Sequence, residues 1–129
     1  MPGRTLRGTM RGMTTSVLIV DDHADFRRAT RDLLEEDGFR VVGEAEDAEG
    51  ALREAARLRP ELVLLDVVLP VEDGFAVARR LAGSGPDPPL VVLVSSRAAS
   101  AYRGRIEGSP ARGFIPKDEL SAERLQALL

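Results

Sequence analysis

Blocks of uninterrupted aliphatic residues alternate along this chain with stretches in which apolar residues recur every three or four positions. The aliphatic blocks predict strands over residues 16–21, 40–44, 61–66, 90–95 and 113–116. The first, third and fourth are nearly continuous Val, Leu and Ile (17–20, 62–65 and 90–94). That is the pattern of strands buried on both faces, as in a parallel sheet covered by helices on each side.

The intervening stretches read as amphipathic helices. Over 24–37, Phe26, Ala29, Thr30, Leu33 and Leu34 share one face and Gly38 supplies the stop. Over 48–59 the stripe is Ala48, Ala51, Leu52 and Ala55, and Pro60 ends it. Over 73–82, Asp73 caps the first turn while Phe75, Ala78 and Leu81 face inward. The last helix, 119–129, presents Leu125, Leu128 and Leu129. The stretch 98–107 has the poorest pattern: Ala101, Tyr102 and Ile106 form its inner face, and Gly104 and Gly108 dilute it. A shortened or mobile segment is expected there. Five strand–helix units with short connections imply a doubly wound α/β sheet with right-handed crossovers. The Pro/Gly-rich stretch 83–89 is a loop within this unit, since too little chain follows it to build a second domain.

Composition narrows the classes. A chain of 129 residues, 43% hydrophobic and 30% charged, suits one globular domain able to bury a core without staples. It has no cysteine, which excludes a disulfide framework, a Cys-ligated zinc and a thiol nucleophile, and accords with a reducing cytoplasm. The net charge of −3 argues against direct nucleic-acid binding by this domain. Of that charge, residues 1–13 carry +3 from Arg4, Arg7 and Arg11, leaving −6 for the remainder. This head lacks the apolar core of a signal peptide, and no run is long enough to span a membrane. Residues 1–15 are read as a disordered basic tail and 16–129 as the folded domain. All three methionines lie in the tail, so a natural start at Met13 is an alternative to Met1.

Ligands of open parallel sheets sit beyond the carboxyl ends of the strands. Strand one ends in Asp21-Asp22, strand three in Asp66, strand four in Ser95, and strand five leads to Lys117 past Pro116. Three carboxylates, a hydroxyl and an ammonium are thus expected on one edge. Crowded carboxylates raise one another's proton affinity unless a cation neutralises them. Oxygen ligands with room for water suit Mg²⁺. A divalent ion, a lysine and a hydroxyl donor match the three equatorial oxygens of a phosphoryl group. Carboxylates are competent nucleophiles toward phosphorus, and Asp66, the single acid at the middle strand's end, is the candidate. The chain has 17 arginines and one lysine, and that lysine is Lys117. Retaining Lys in so Arg-biased a chain points to a site that needs a compact charge on a flexible stem. Each feature alone is ordinary: acids favour helix starts, and serine often ends a strand. Their joint order carries the argument.

The segments VLIVDDH, LVLLDVVLP, VVLVSS and GFIPKD resemble the receiver domain of two-component response regulators, over roughly residues 16–129. The resemblance implies a five-stranded flavodoxin-like sheet of order 2-1-3-4-5. It implies Mg²⁺ held by Asp22 and Asp66 directly, by Asp21 through water and by the Val68 backbone carbonyl. Asp66 would be the phosphoacceptor, with Ser95 and Lys117 each bonding a phosphoryl oxygen. Phe114 would turn inward as Ser95 moves toward the phosphate. Val68 and Arg97 would flank the reaction space and set how fast water reaches the acyl phosphate.

Expected partners are a sensor histidine kinase or phosphotransfer protein as donor and a downstream protein as target. A phosphorylation-dependent homodimer is compatible with the same reading. Such a domain is a cytoplasmic switch, not an enzyme, beyond its own Mg²⁺-dependent phosphorylation and dephosphorylation. Many receivers carry proline directly after the lysine, often with a cis bond. Here Asp118 follows, and a cis bond without proline costs about 3 kcal/mol, so a trans bond is expected.

The principal alternative is an aspartyl-nucleophile phosphohydrolase of the haloacid dehalogenase type. That class wants an Asp-x-Asp motif after strand one, whereas this pair is adjacent. A flavin binder of like topology would want a Ser/Thr/Gly-rich phosphate loop where DDHADF stands. The complete acidic set argues against an interaction domain that is never phosphorylated. His23 is the only histidine and is left without a role, since a lone exposed histidine at a helix start is seldom a phosphate carrier or ligand.

Overall fold

The computed structural model describes residues 15–129; the basic tail and the alternative start at Met13 lie, but for Thr15, outside the described residues. Five strands form one all-parallel sheet in the order β2-β1-β3-β4-β5: β1 Ser16–Val20, β2 Arg40–Ala45, β3 Leu62–Asp66, β4 Leu90–Ser95 and β5 Gly113–Pro116. Helices α1 Ala24–Glu36, α2 Ala48–Leu58, α3 Gly74–Ala82 and α4 Ala122–Ala127 cover its two faces.

The two-residue period of a strand sends alternate side chains to opposite faces, so the continuous aliphatic runs feed two separate cores. Leu18, Val20, Val63, Leu65 and Leu93 pack with Phe75, Leu81 and Tyr102 on the α2/α3 face. Val17, Ile19, Leu62, Leu64, Val92, Val94 and Ile115 pack with Leu34 and Leu125 on the α1/α4 face. Every residue of β1 and β3 is buried.

Helix starts follow the capping residues. Asp47 accepts the Gly50 N–H at 2.7 Å, Asp73 that of Ala76 at 2.9 Å, and Ser121 that of Arg124 at 3.0 Å. The Ser121 cap explains why the last helix is shorter than its leucines suggested. Residues Lys117–Glu119 form a separate 3-10 turn, and α4 starts only at Ala122. The weak stretch 98–107 is not an α-helix: Ala99–Arg105 is 3-10, kinked at Arg103 with φ 50° and ψ −129°. Two glycines and a thin apolar face leave little to reward a regular helix there. No cis peptide bond occurs among the described residues.

Val71, in the β3–α3 loop, has φ 69° and a fully exposed side chain. A β-branched residue in the left-handed region is strained, and an exposed side chain recovers nothing by packing. Val71→Gly is expected to raise stability by about 1 kcal/mol, the relieved strain less glycine's extra chain entropy. The midpoint of urea unfolding should rise accordingly; an unchanged or lower midpoint would contradict this.

Candidate functional site

The carboxyl ends of β1, β3, β4 and β5 meet at one edge. Asp21 directly follows β1, is fully buried, and is anchored by its own N–H to the Ala45 carbonyl at 3.0 Å. Asp66 closes β3 at 2% exposure, opposite Val94 of β4. The Val68 N–H donates to Asp66 Oδ1 at 3.1 Å, which leaves Oδ2 facing Lys117. Lys117 Nζ lies 2.6 Å from Asp21 Oδ2 and 3.2 Å from Asp66 Oδ2, bridging the two carboxylates. Asp21 Oδ2 makes no well-aligned hydrogen bond and is held by this charge contact alone.

Electrostatics follow from this packing. Burial, then the charge of Asp21, pushes the Asp66 pKa up to about 6, against the lowering effects of the Val68 N–H and Lys117. Burial by itself would lower the Lys117 pKa, but its close charge contacts with Asp21 and Asp66, and its hydrogen bond to Asp66, override this and hold it above the usual lysine range. Among the described residues, Asp21, Asp22, His23 and Asp66 each bring a ligand atom within 4.8 Å of the others. The carboxylate part of this set is what a small hard cation takes, and ligands on opposite sides of Mg²⁺ stand about 4 Å apart. The residues therefore fit Mg²⁺ with only small movements.

A folded-state pKa above the unfolded value means that ionising Asp66 costs stability. The contribution of Asp66 is fully present below about pH 4 and is lost as pH rises through about 6. Asp66→Asn is therefore expected to stabilise the cation-free domain by about 1–3 kcal/mol at pH 7 and hardly at all near pH 4. Urea unfolding of both proteins at the two pH values checks it; the same difference at both would rule it out.

The other residues singled out from sequence fall around this pair. Asp22 flanks Asp21 and is exposed, with Oδ1 3.1 Å from His23 Nδ1. Val68 is exposed and meets Asp66 through its N–H. Ser95 is fully buried at the end of β4, but its hydroxyl faces Tyr102 Oη at 2.6 Å and accepts the Arg97 N–H at 3.1 Å. Among the described residues Asp66 is not one of its partners. Phe114 is half-buried, edge-on to Tyr102 with ring centres 5.8 Å apart.

Three neighbours escaped the sequence reading. Phe26, taken as part of a core stripe, places its ring 4.3 Å from Lys117 Nζ. His23 Nδ1 is 3.0 Å from Asp21 Oδ1. Tyr102, taken as a packing residue, bonds Ser95. The adjacency of His23 to the acidic pair was the only signal available for any of them. A groove of about 570 Å³ opens at the opposite end of the strands, between Leu52, Leu81, Pro60 and Pro89, with Arg59, Glu61 and Asp87 also in its lining.

A doubly wound 2-1-3-4-5 sheet with an Asp–Lys–Asp cluster at its carboxyl edge defines the receiver class. The family model of the response regulator receiver domain matches residues 17–129, and the chain belongs to that family. It is 38% identical over 113 residues to the response regulator GacA of Pseudomonas viridiflava, covering 87% of this chain and 52% of that protein. It is 44% identical over 79 residues to a protein-glutamate methylesterase/protein-glutamine glutaminase of Hahella chejuensis, covering 61% of this chain and 23% of that one. The crystal structure of a LuxR-family two-component response regulator from an Aurantimonas species superimposes with a TM-score of 0.79 at 29% identity, covering 89% of this chain and 82% of that one. The chain spans about half the length of GacA and of two transcription regulators it matches. Among the described residues, no helix is long and apolar enough to cross a membrane.

Proposed function

We propose that this receiver domain is a phosphoacceptor switch in which Asp66 takes a phosphoryl group from the phosphohistidine of a sensor kinase or phosphotransfer protein. The observation that carries this reading is the Lys117 ammonium lying between the Asp21 and Asp66 carboxylates. In the transfer, an Asp66 carboxylate oxygen forms a bond to phosphorus while the phosphorus–nitrogen bond of the donor breaks. The donor imidazole leaves with the electron pair and takes a proton from solvent.

Before transfer, Lys117 keeps Asp66 closer to the ionised, nucleophilic form than burial alone would allow. Afterwards its ammonium is free to bond a phosphoryl oxygen, and the Ser95 hydroxyl is one strand away for another. Asp21, Asp22, Asp66 and the Val68 carbonyl would hold Mg²⁺, which supplies the positive charge that the added phosphoryl group of about −2 requires. Phe26 limits where the ammonium can go by covering it on the α1 side.

In this reading the domain acts as a cytoplasmic signalling element, not as an enzyme on a separate substrate, and a downstream protein, or a second copy, reads its β4–β5 surface. Incubation with acetyl phosphate and Mg²⁺ followed by intact-mass measurement tests the reading. One phosphate adduct is expected on the native chain and none on Asp66→Ala. Steady release of phosphate without an adduct would favour a phosphohydrolase instead.

A further inference from the structure

Packing alone does not account for Tyr102. Its ring is 8% exposed and sits edge-on to Phe75 at 5.5 Å and to Phe114 at 5.8 Å, a place that phenylalanine would fill as well. What tyrosine adds is the hydroxyl 2.6 Å from Ser95 Oγ. Ser95 Oγ also accepts the Arg97 N–H, so the hydroxyl group wanted by a phosphoryl oxygen is engaged on the side of the 3-10 segment. We propose that Tyr102 is a positioning residue that latches Ser95, and that phosphorylation of Asp66 draws Ser95 away and releases Tyr102 together with Ala99–Arg105. This inference rests on the phosphoacceptor reading above.

The physical case has three parts. A serine hydroxyl has one hydrogen and a single short stem, so turning Oγ toward Asp66 breaks a contact as short as 2.6 Å. The phenol hydroxyl left behind is buried without a partner, an unfavourable state that ends when the ring reaches water. The element that carries Tyr102 is also built to yield. It is a 3-10 segment with a kink at Arg103, and its neighbours at 99–101 and 103–105 are exposed. Its side-chain ties to α3 run through Arg105, which meets Asp73 at 2.9 Å and lies 4.4 Å from the Phe75 ring centre, together with the Phe75–Tyr102 contact itself.

The chain has one tyrosine and no tryptophan, so tyrosine fluorescence reports Tyr102 alone. The test follows acrylamide quenching of that emission in the full chain before and after acetyl phosphate and Mg²⁺, with intact mass recorded on the same samples. Quenching should increase severalfold with the Asp66 adduct. In Ser95→Ala it should be high from the start and indifferent to the adduct. Tyr102→Phe should form the adduct about three- to tenfold faster, tenfold corresponding to 1.4 kcal/mol. A residue that only filled space would shift the unfolding midpoint without linking quenching to phosphorylation. An adduct with unchanged quenching, or an unchanged rate in Tyr102→Phe, overturns the latch and spares the phosphoacceptor reading. Absence of any adduct on the native chain ends both.

Discussion

Lys117→Met is expected to cost about 3–4 kcal/mol of stability at pH 7 when divalent cations are absent. Methionine matches the length and much of the volume of the lysine stem, so the loss reports charge and not a cavity. Without the ammonium, the buried carboxylates of Asp21 and Asp66 are left unneutralised. Proton uptake limits only the Asp66 share: it starts near 6, so protonating it at pH 7 costs about 1.4 kcal/mol, and the rest of the loss is the unneutralised charge of buried Asp21. The deficit should shrink as pH falls below 6, and millimolar Mg²⁺ should restore part of it by replacing the lost charge. Urea unfolding across pH, with and without Mg²⁺, measures all three effects. A loss below 1 kcal/mol, or one indifferent to both pH and Mg²⁺, would show that Lys117 does not neutralise this pair.

Gly74→Ala should be nearly as damaging for a steric reason. A Cβ at this position would collide with the carbonyl oxygen of Asp66 and stand 2.8 Å from the Cα of Val67. Both obstacles are backbone, so no rotamer change relieves them. The Gly74 N–H also donates to the Val67 carbonyl at 2.7 Å, tying the start of α3 to the end of β3. A forced separation costs about 1–3 kcal/mol and moves the strand end that carries Asp66. The variant is therefore expected to lose stability and, in whatever fraction remains folded, to accept phosphate from acetyl phosphate at least tenfold more slowly. A variant that unfolds at the native urea midpoint would refute the collision. Restoring stability by lowering pH should fail here, unlike for Lys117→Met, because nothing that titrates has changed.

The architecture was readable because aliphatic runs and helical stripes report burial directly. β1, β3 and β4 are continuous aliphatic runs, and their ends place Asp21, Asp66 and Ser95 on one edge. Lys117 stood out by being the chain's single lysine.

Less was readable wherever the outcome depended on side-chain direction or on a balance of weak local preferences. Periodicity assigns Phe26 to an inner face but cannot say that the ring ends over an ammonium. A strand-end serine has several hydroxyl orientations, and only the packed position of Tyr102 selects among them. For residues 99–105 the thin apolar face signalled weakness but not the 3-10 form. Gly74 gave no pattern at all, because the need for a missing side chain arises from a backbone distant in space.

The two apolar layers of the sheet reach the acidic edge from opposite sides. Phe26 and α1 belong to one, and Tyr102, Phe75 and Phe114 to the other. Asp66, at the end of β3, lies between the two layers. On the proposed phosphoacceptor reading, substitutions in one layer can retune how long the acyl phosphate survives, and substitutions in the other can retarget what senses it, each without rewriting its counterpart.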